Sequence, residues 1–148
     1  MPLDSDGFLR RECPHCLKQF KWHHGPANAE AESYPDPPAY SCPLCGRPAG
    51  PDSWWTQQQL DYAQGVATPA ALRHVQDELD RAFSGHNNKH VRFKTSRTAS
   101  LPDEPMPLTE PDDMVIIASP CHPYEPVKVP EEGAGPFHCL ICGERFAL

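Results

Sequence analysis

The sequence predicts a small, metal-stabilised α+β protein, and three observations carry that expectation. Cysteines come in CxxC pairs: Cys13-Pro14-His15-Cys16, Cys42-Pro43-Leu44-Cys45 and Cys139-Leu140-Ile141-Cys142. Nineteen prolines in 148 residues and a mean hydropathy of -0.60 leave too few apolar runs for one large core, so small units that need a staple are expected. Apolar residues recur at helical spacing in the middle of the chain, whereas the flanking segments alternate or form short β-prone runs. Four segments follow: a β unit at 1–50, a helical segment at 51–85, a charged proline-rich linker at 86–113 and a second β unit at 114–148.

In the first unit Phe20 and Trp22 alternate with Gln19 and Lys21 directly after the first cysteine pair, and Ala39-Tyr40-Ser41 leads into the second. This predicts short antiparallel strands that carry the two pairs. Gly25-Pro26 and Tyr34-Pro35-Asp36-Pro37-Pro38 are expected as loop. A tetrahedral ion needs four donors on a small sphere, and two residues between cysteines let one turn aim both sulfurs at one point. Cys13, Cys16, Cys42 and Cys45 are therefore assigned to one metal ion. Gly46 follows the second pair, where a positive φ lets backbone N–H groups turn toward the sulfurs. CPHC and CPLCG resemble the paired knuckles of the zinc-ribbon superfamily. The resemblance covers about the first third of the chain and implies a structural Zn2+ between two hairpins. It implies little about process, because ribbons occur in many kinds of assembly. Rubredoxins are similar, with iron in the same tetrahedral sulfur site, but they place glycine after the first pair where this chain has Leu17, which favours zinc. His15, His23 and His24 are expected as non-ligands.

In the last unit Met114-Val115-Ile116-Ile117-Ala118, Val127-Lys128-Val129 and Arg145-Phe146-Ala147-Leu148 are expected as strands. Cys139, Cys142 and Gly143 match a zinc-ribbon knuckle, so two ribbons in one chain, with two zinc ions, are expected. The first half of this second site offers only Cys121 with His122 beside it. The preferred ligand set is Cys121, His122, Cys139 and Cys142. His138 is the alternative fourth ligand, and an incomplete site with Cys121 as an inert thiol is a third possibility.

Thr56 as N-cap, Gln59 three residues on, and Trp55 against Leu60 predict a helix from Gln57. Gly65 and Thr68-Pro69 predict an interruption, with one kinked helix as the alternative. Leu72, Val75, Leu79 and Phe83 then form one apolar stripe, expected to pack on the ribbon or on a neighbouring helix. Trp54 and Trp55 are the candidate partner-binding residues, weighed against core packing, which the scarcity of apolar runs favours.

The linker changes sign along its length. Lys89, Arg92, Phe93, Lys94 and Arg97 form a basic arm with a ring available for stacking, the candidate nucleic-acid contact. Asp103, Glu104, Glu110, Asp112 and Asp113 follow among prolines, an acidic tether able to neutralise the arm in cis and to hold the two ends of the chain apart. The formal net charge of -7 opposes bulk attraction to nucleic acid.

No HExxH, no HxE with PCxxC, no GxSxG and no glycine-rich phosphate loop is present. Four-ligand metal sites are closed to substrate, so neither an enzyme nor a small-molecule substrate is expected. No apolar run approaches the ~18 residues of a membrane span, and paired thiols suit a reducing, cytoplasmic setting. The expected role is a non-catalytic zinc-binding adaptor or accessory subunit mediating protein–protein interaction in a larger assembly. The alternative is a nucleic-acid-binding protein using the 89–97 arm with Arg10, Arg11, Lys18 and Lys21, followed by a rubredoxin-like electron carrier.

Overall fold

A computed structural model describes residues 1–23, 25–84, 105–133 and 135–147, with side chains described to residue 82 in the helix. The chain forms two compact units, Met1–Gln57 with Leu108–Leu148, and Gln58–Pro107. The two ends therefore belong to one body, and the division at residues 50 and 114 into separate β units is corrected.

The first unit is built on an antiparallel sheet of β1 (Phe8–Glu12), β2 (Gln19–His23), β5 (Met114–Ile117) and β6 (Val127–Pro130), in the order β1-β2-β6-β5. Two small hairpins complete it, β3 (Tyr40–Ser41) with β4 (Pro48–Ala49) and β7 (Phe137–His138) with β8 (Arg145–Phe146). Strand alternation sorts the sheet into two chemically distinct faces. Phe20, Trp22, Val127, Val129 and Ile117 belong to the buried core, together with Cys13, Cys42, Phe137 and Leu140. Trp54 is fully buried in the same cluster. Its ring meets Phe20 edge-on at 5.7 Å and Trp22 at 5.6 Å, and its carbonyl accepts the Glu12 N–H at 2.9 Å. The Arg11 guanidinium lies 4.8 Å from the ring centroids of both Trp22 and half-buried Trp55. Trp54, one of the two candidate partner contacts, is therefore a core residue, as the scarcity of apolar runs favours, while half-buried Trp55 covers a cation.

On the opposite face Arg10, Lys21 and Lys128 sit in one register row across β1, β2 and β6. Lys21 is 0% and Lys128 1% exposed. Like charges directly opposite on adjacent strands repel, so this row demands counter-charge. Asp4 Oδ2 supplies it to both lysines, at 3.2 Å from Lys21 Nζ and 2.9 Å from Lys128 Nζ. Lys128 also pairs with Asp6 and Asp112, each at 2.6 Å, and Lys21 with Glu110 and Asp113, each at 3.0 Å. Asp113 accepts two hydrogen bonds from Arg10 Nη2, and Glu110 accepts one from Arg10 Nε. Residues 110–113 of the supposed tether are therefore docked on the sheet. What they neutralise is this buried row, and the expectation that they hold the ends of the chain apart is corrected.

Burial by itself would raise the Asp4 pKa, but hydrogen bonds from Lys128, the Phe8 N–H, Lys21 and the Asp6 N–H outweigh it and hold the carboxyl down to about 2. A depressed carboxylate stabilises fully above its ordinary value of 3.8 and loses that contribution as the pH falls toward 2, so the pairing is complete at neutral pH.

In the second unit the helix α1 (Gln57–Ser84) starts where the Thr56 cap predicts and runs 28 residues without a break. The interruption expected at Gly65 and Pro69 does not occur. Thr68 Oγ1 donates to the Gln64 carbonyl at 2.7 Å, a bond to the preceding turn in place of a cap on a new helix. Gly65 has a packing reason instead, since a Cβ there would come within 3.0 Å of Pro105 Cγ. Leu72, Val75 and Leu79 are 41%, 54% and 44% exposed, so within their own unit no described residue buries this stripe. The Phe83 side chain and the arm residues Lys89, Arg92, Phe93, Lys94 and Arg97 lie outside the described residues.

Removing one charge from the row tests its role. Asp4→Asn leaves two buried lysines short of their shared partner and is expected to lower the unfolding free energy by about 3–5 kcal/mol in urea denaturation at pH 7.

Candidate metal centres

The turn after β1, the β3–β4 hairpin and the β7–β8 hairpin each hold a CxxC pair in the same backbone frame. The first cysteine N–H donates across the turn to the residue five positions on: Cys13 to the Lys18 carbonyl at 3.0 Å, Cys42 to Arg47 at 3.0 Å and Cys139 to Glu144 at 2.9 Å. The residue four positions on donates back to that cysteine's carbonyl, from Leu17, Gly46 and Gly143 at 2.9, 2.8 and 2.9 Å. This frame needs a left-handed residue at the returning position, and φ is +57° at Leu17, +71° at Gly46 and +74° at Gly143. Glycine reaches it freely, whereas leucine pays about 1–2 kcal/mol. The turns also aim N–H groups at sulfur, His15 to Cys13 and Leu44 to Cys42, both at 3.4 Å.

Cys13, Cys16, Cys42 and Cys45 converge so that their sulfurs lie within 4.8 Å of one another. Cys13 and Cys45 Sγ are 3.7 Å apart, and Cys16 and Cys42 Sγ 3.9 Å. All seven cysteines are free thiols. A tetrahedron of sulfurs at the usual zinc distance has edges of about 3.8 Å. The spacing thus fits an enclosed ion and is far too long for a disulfide. His15 reaches the Pro48 carbonyl at 3.1 Å and the His23 ring lies tilted against Phe8 with centroids 4.2 Å apart, so both lie apart from the ligand set, and His24 is outside the described residues.

The second cluster brings together Cys121, His122, Cys139 and Cys142 within the same 4.8 Å limit. Two adjacent ligands can meet because residues 120–124 bend and turn instead of extending. Ser119 organises the bend: its Oγ accepts the His122 N–H at 3.2 Å and lies 3.2 Å from Cys139 Sγ, to which it donates. His122 presents Nδ1, 3.3 Å from Cys139 Sγ, while Cys121 and Cys142 sulfurs are 3.5 Å apart. The His138 ring lies instead over Gly46, where a Cβ would come within 2.7 Å of its Cδ2. Sequence reasoning missed Ser119, although a serine two residues before the first ligand is the signal of a side-chain turn.

The two centres share a backbone seam. Ser41 N–H donates to the Leu140 carbonyl at 2.7 Å and His138 N–H to the Pro43 carbonyl at 2.9 Å. No protein-family model, curated protein or solved structure matches this chain. The two clusters, each geometrically suited to a metal ion and consistent with zinc-ribbon-like sites, rest on their own geometry.

The thiols of each cluster are shifted apart by their surroundings. Burial pushes the Cys42 thiol far up, partial relief from the Leu44 and Cys45 N–H groups notwithstanding, and burial with neighbouring Cys121 and Cys139 pushes Cys142 up to about 11. Cys139 moves the other way, because N–H groups of Cys142 and Ile141 and the Ser119 hydroxyl outweigh burial. Four thiolates, or three beside an imidazole, coexist only around a positive ion.

Two outcomes follow. Raised thiols stay protonated at pH 7, so metal uptake by the apo protein must displace protons; a pH indicator should record their release, and affinity should fall as the pH is lowered. Gly46→Ala meets both the left-handed φ and the His138 ring and is expected to cost about 2–3 kcal/mol in thermal or urea unfolding. Leu17→Gly relieves strain at an exposed site and is expected to be neutral or stabilising by up to about 1 kcal/mol in the same measurement.

Proposed function

We propose that this chain is a non-catalytic adaptor or accessory subunit, held together by two structural zinc ions, that mediates protein–protein interaction in a larger assembly. The observation that carries this proposal is the unpacked stripe of Leu72, Val75 and Leu79 on a 28-residue helix. Three large apolar side chains at helical spacing are the form in which a helix enters a partner's groove. Four side-chain donors at each cluster leave no position for substrate, which supports a structural role for the metals. Seven free thiols suit a reducing cytoplasm, and no helix among the described residues is long and apolar enough to cross a membrane.

The nucleic-acid alternative is weakened by where its supporting cations lie. Arg10 and Lys21 are paired with carboxylates and Arg11 is enclosed between two tryptophan rings, which leaves Lys18 as the exposed member of that set. An iron-based electron carrier remains separable from the zinc adaptor by composition.

Elemental analysis of the purified chain is expected to find two zinc equivalents and no iron, falling to one zinc in His122→Ala. Serine at positions 72, 75 and 79 is expected to abolish capture of partners from native extract while zinc content stays at two. Undiminished capture by that triple variant would refute the assignment of the helix.

A further inference from the structure

The loop between β2 and β3 and the turn that carries His122 enclose a cavity of about 70 Å3. Its lining includes the rings of Trp22, Tyr34, Tyr40 and Tyr124 and the carboxylates of Asp36 and Glu125. Tyr34 and Tyr124 stack with centroids 4.4 Å apart and planes within 4°, and Trp22 and Tyr40 sit 5.0 Å apart. The ring of His122 stands edge-on to Tyr124 at 5.7 Å, so the second metal cluster braces this wall.

Among the described residues the two carboxylates have no cationic partner. Asp36 accepts the Tyr40 hydroxyl at 3.5 Å and Glu125 the Ala27 N–H, and neither forms an ion pair among the described residues. Arg10, Lys21 and Lys128 are committed to the acidic groups on the far face, and the Arg11 guanidinium, 4.8 Å from the centroids of Trp55 and of the same Trp22 ring that lines the cavity, forms no ion pair with either carboxylate among the described residues. An anion entering the cavity would meet two carboxylates, and a neutral apolar group would desolvate both without return. A cation gains from both kinds of lining, since ring faces carry a negative quadrupole and the carboxylates add full charge.

Which cation is decided by hydration and size. A bare ammonium is compact and strongly hydrated, so it loses much on entry. Methyl groups lower that cost and place carbon against the rings, while a remaining N–H can donate to Asp36 or Glu125. The cavity has room for such a head group, and exposed Tyr34, Pro35 and Asp36 stand on its lining. The net charge of -7 favours approach by a basic polypeptide. We propose that this cavity binds the mono- or dimethylated ammonium of a lysine side chain on a partner polypeptide. The proposal goes beyond the adaptor assignment and uses no residue of the helix.

Calorimetric titration of the metal-loaded full chain with short basic peptides tests it. A dimethyl-lysine peptide is expected to bind at least about tenfold more tightly than the same peptide with acetyl-lysine, the unmethylated form falling between them. Tyr34→Ala and Glu125→Gln should each weaken binding about tenfold, whereas Tyr34→Phe, which keeps the ring, should stay within about twofold. Retained zinc content in each variant separates loss of the site from loss of the fold. Equal affinity for dimethyl- and acetyl-lysine peptides, or undiminished binding by Tyr34→Ala, overturns the proposal. Free dimethylammonium binding as tightly as the peptide overturns the polypeptide source. The triple serine variant at 72, 75 and 79 should bind the peptide normally, so failure here and failure of the helix as a partner surface are distinguishable.

Discussion

Three cations in one row across three strands are the constraint on which the rest of the structure depends. Arg10, Lys21 and Lys128 face one another in register, and the two lysines are withdrawn from water. Such a row is untenable alone, because adjacent like charges repel and desolvation adds to the cost. Asp4 bridges both lysines through one oxygen, and Asp6, Glu110, Asp112 and Asp113 complete the neutralisation. Buried ion pairs contribute little net stability compared with well-packed apolar groups, but they are selective. Slipping β6 by one residue against β2 would carry Lys128 onto the aromatic face, so the charge pattern fixes the register that joins the two ends of the chain.

The opposite face carries little core of its own. Its core is a handful of aromatic and β-branched residues continuous with Cys13 and Cys42, too few to offset the conformational entropy of about a hundred ordered residues. Each knuckle contributes a tight turn, and an ion at each cluster would tie together segments that include two hairpins of two-residue strands. The backbone bonds from Ser41 to Leu140 and from His138 to Pro43 join the two knuckles directly. Whatever stabilises one cluster is therefore felt at the other.

Much of this was legible because it is local. A CxxC spacing, a following glycine and a helix cap each act over a few residues, so the grouping of Cys13, Cys16, Cys42 and Cys45, the pairing of Cys139 with Cys142, the positive φ at Gly46 and the start of α1 at Gln57 can be read from spacing, whereas the choice between His122 and His138 beside Cys121 stays open at that level. The partnership of β2 with β6 depends on residues more than a hundred positions apart, and only the charges of Lys21 and Lys128 hint at it. Proline density around 102–111 suggests a free tether, yet a few carboxylates suffice to dock its end. Pro69 is misleading for a different reason. A proline removes one hydrogen bond and adds one clash, and a long helix with a threonine bonded to its preceding turn absorbs both. Ser119 carries a local turn signal in its bond to His122, but its second bond, to Cys139 Sγ, spans twenty residues and has no signature in spacing.

The sheet order has a consequence for how the chain is made. During synthesis the four thiols of the first cluster are all present once residue 45 has emerged, and the β1–β2 hairpin can form with them. Its inner neighbour β6 arrives some eighty residues later, after the whole of α1. For that interval the hairpin carries an unpaired edge at β2, with Phe20 and Trp22 on one side and unneutralised Lys21 on the other. A lysine facing outward from a waiting edge discourages pairing with the wrong strand, so the residue that later locks the sheet first serves to keep it from closing on a stranger.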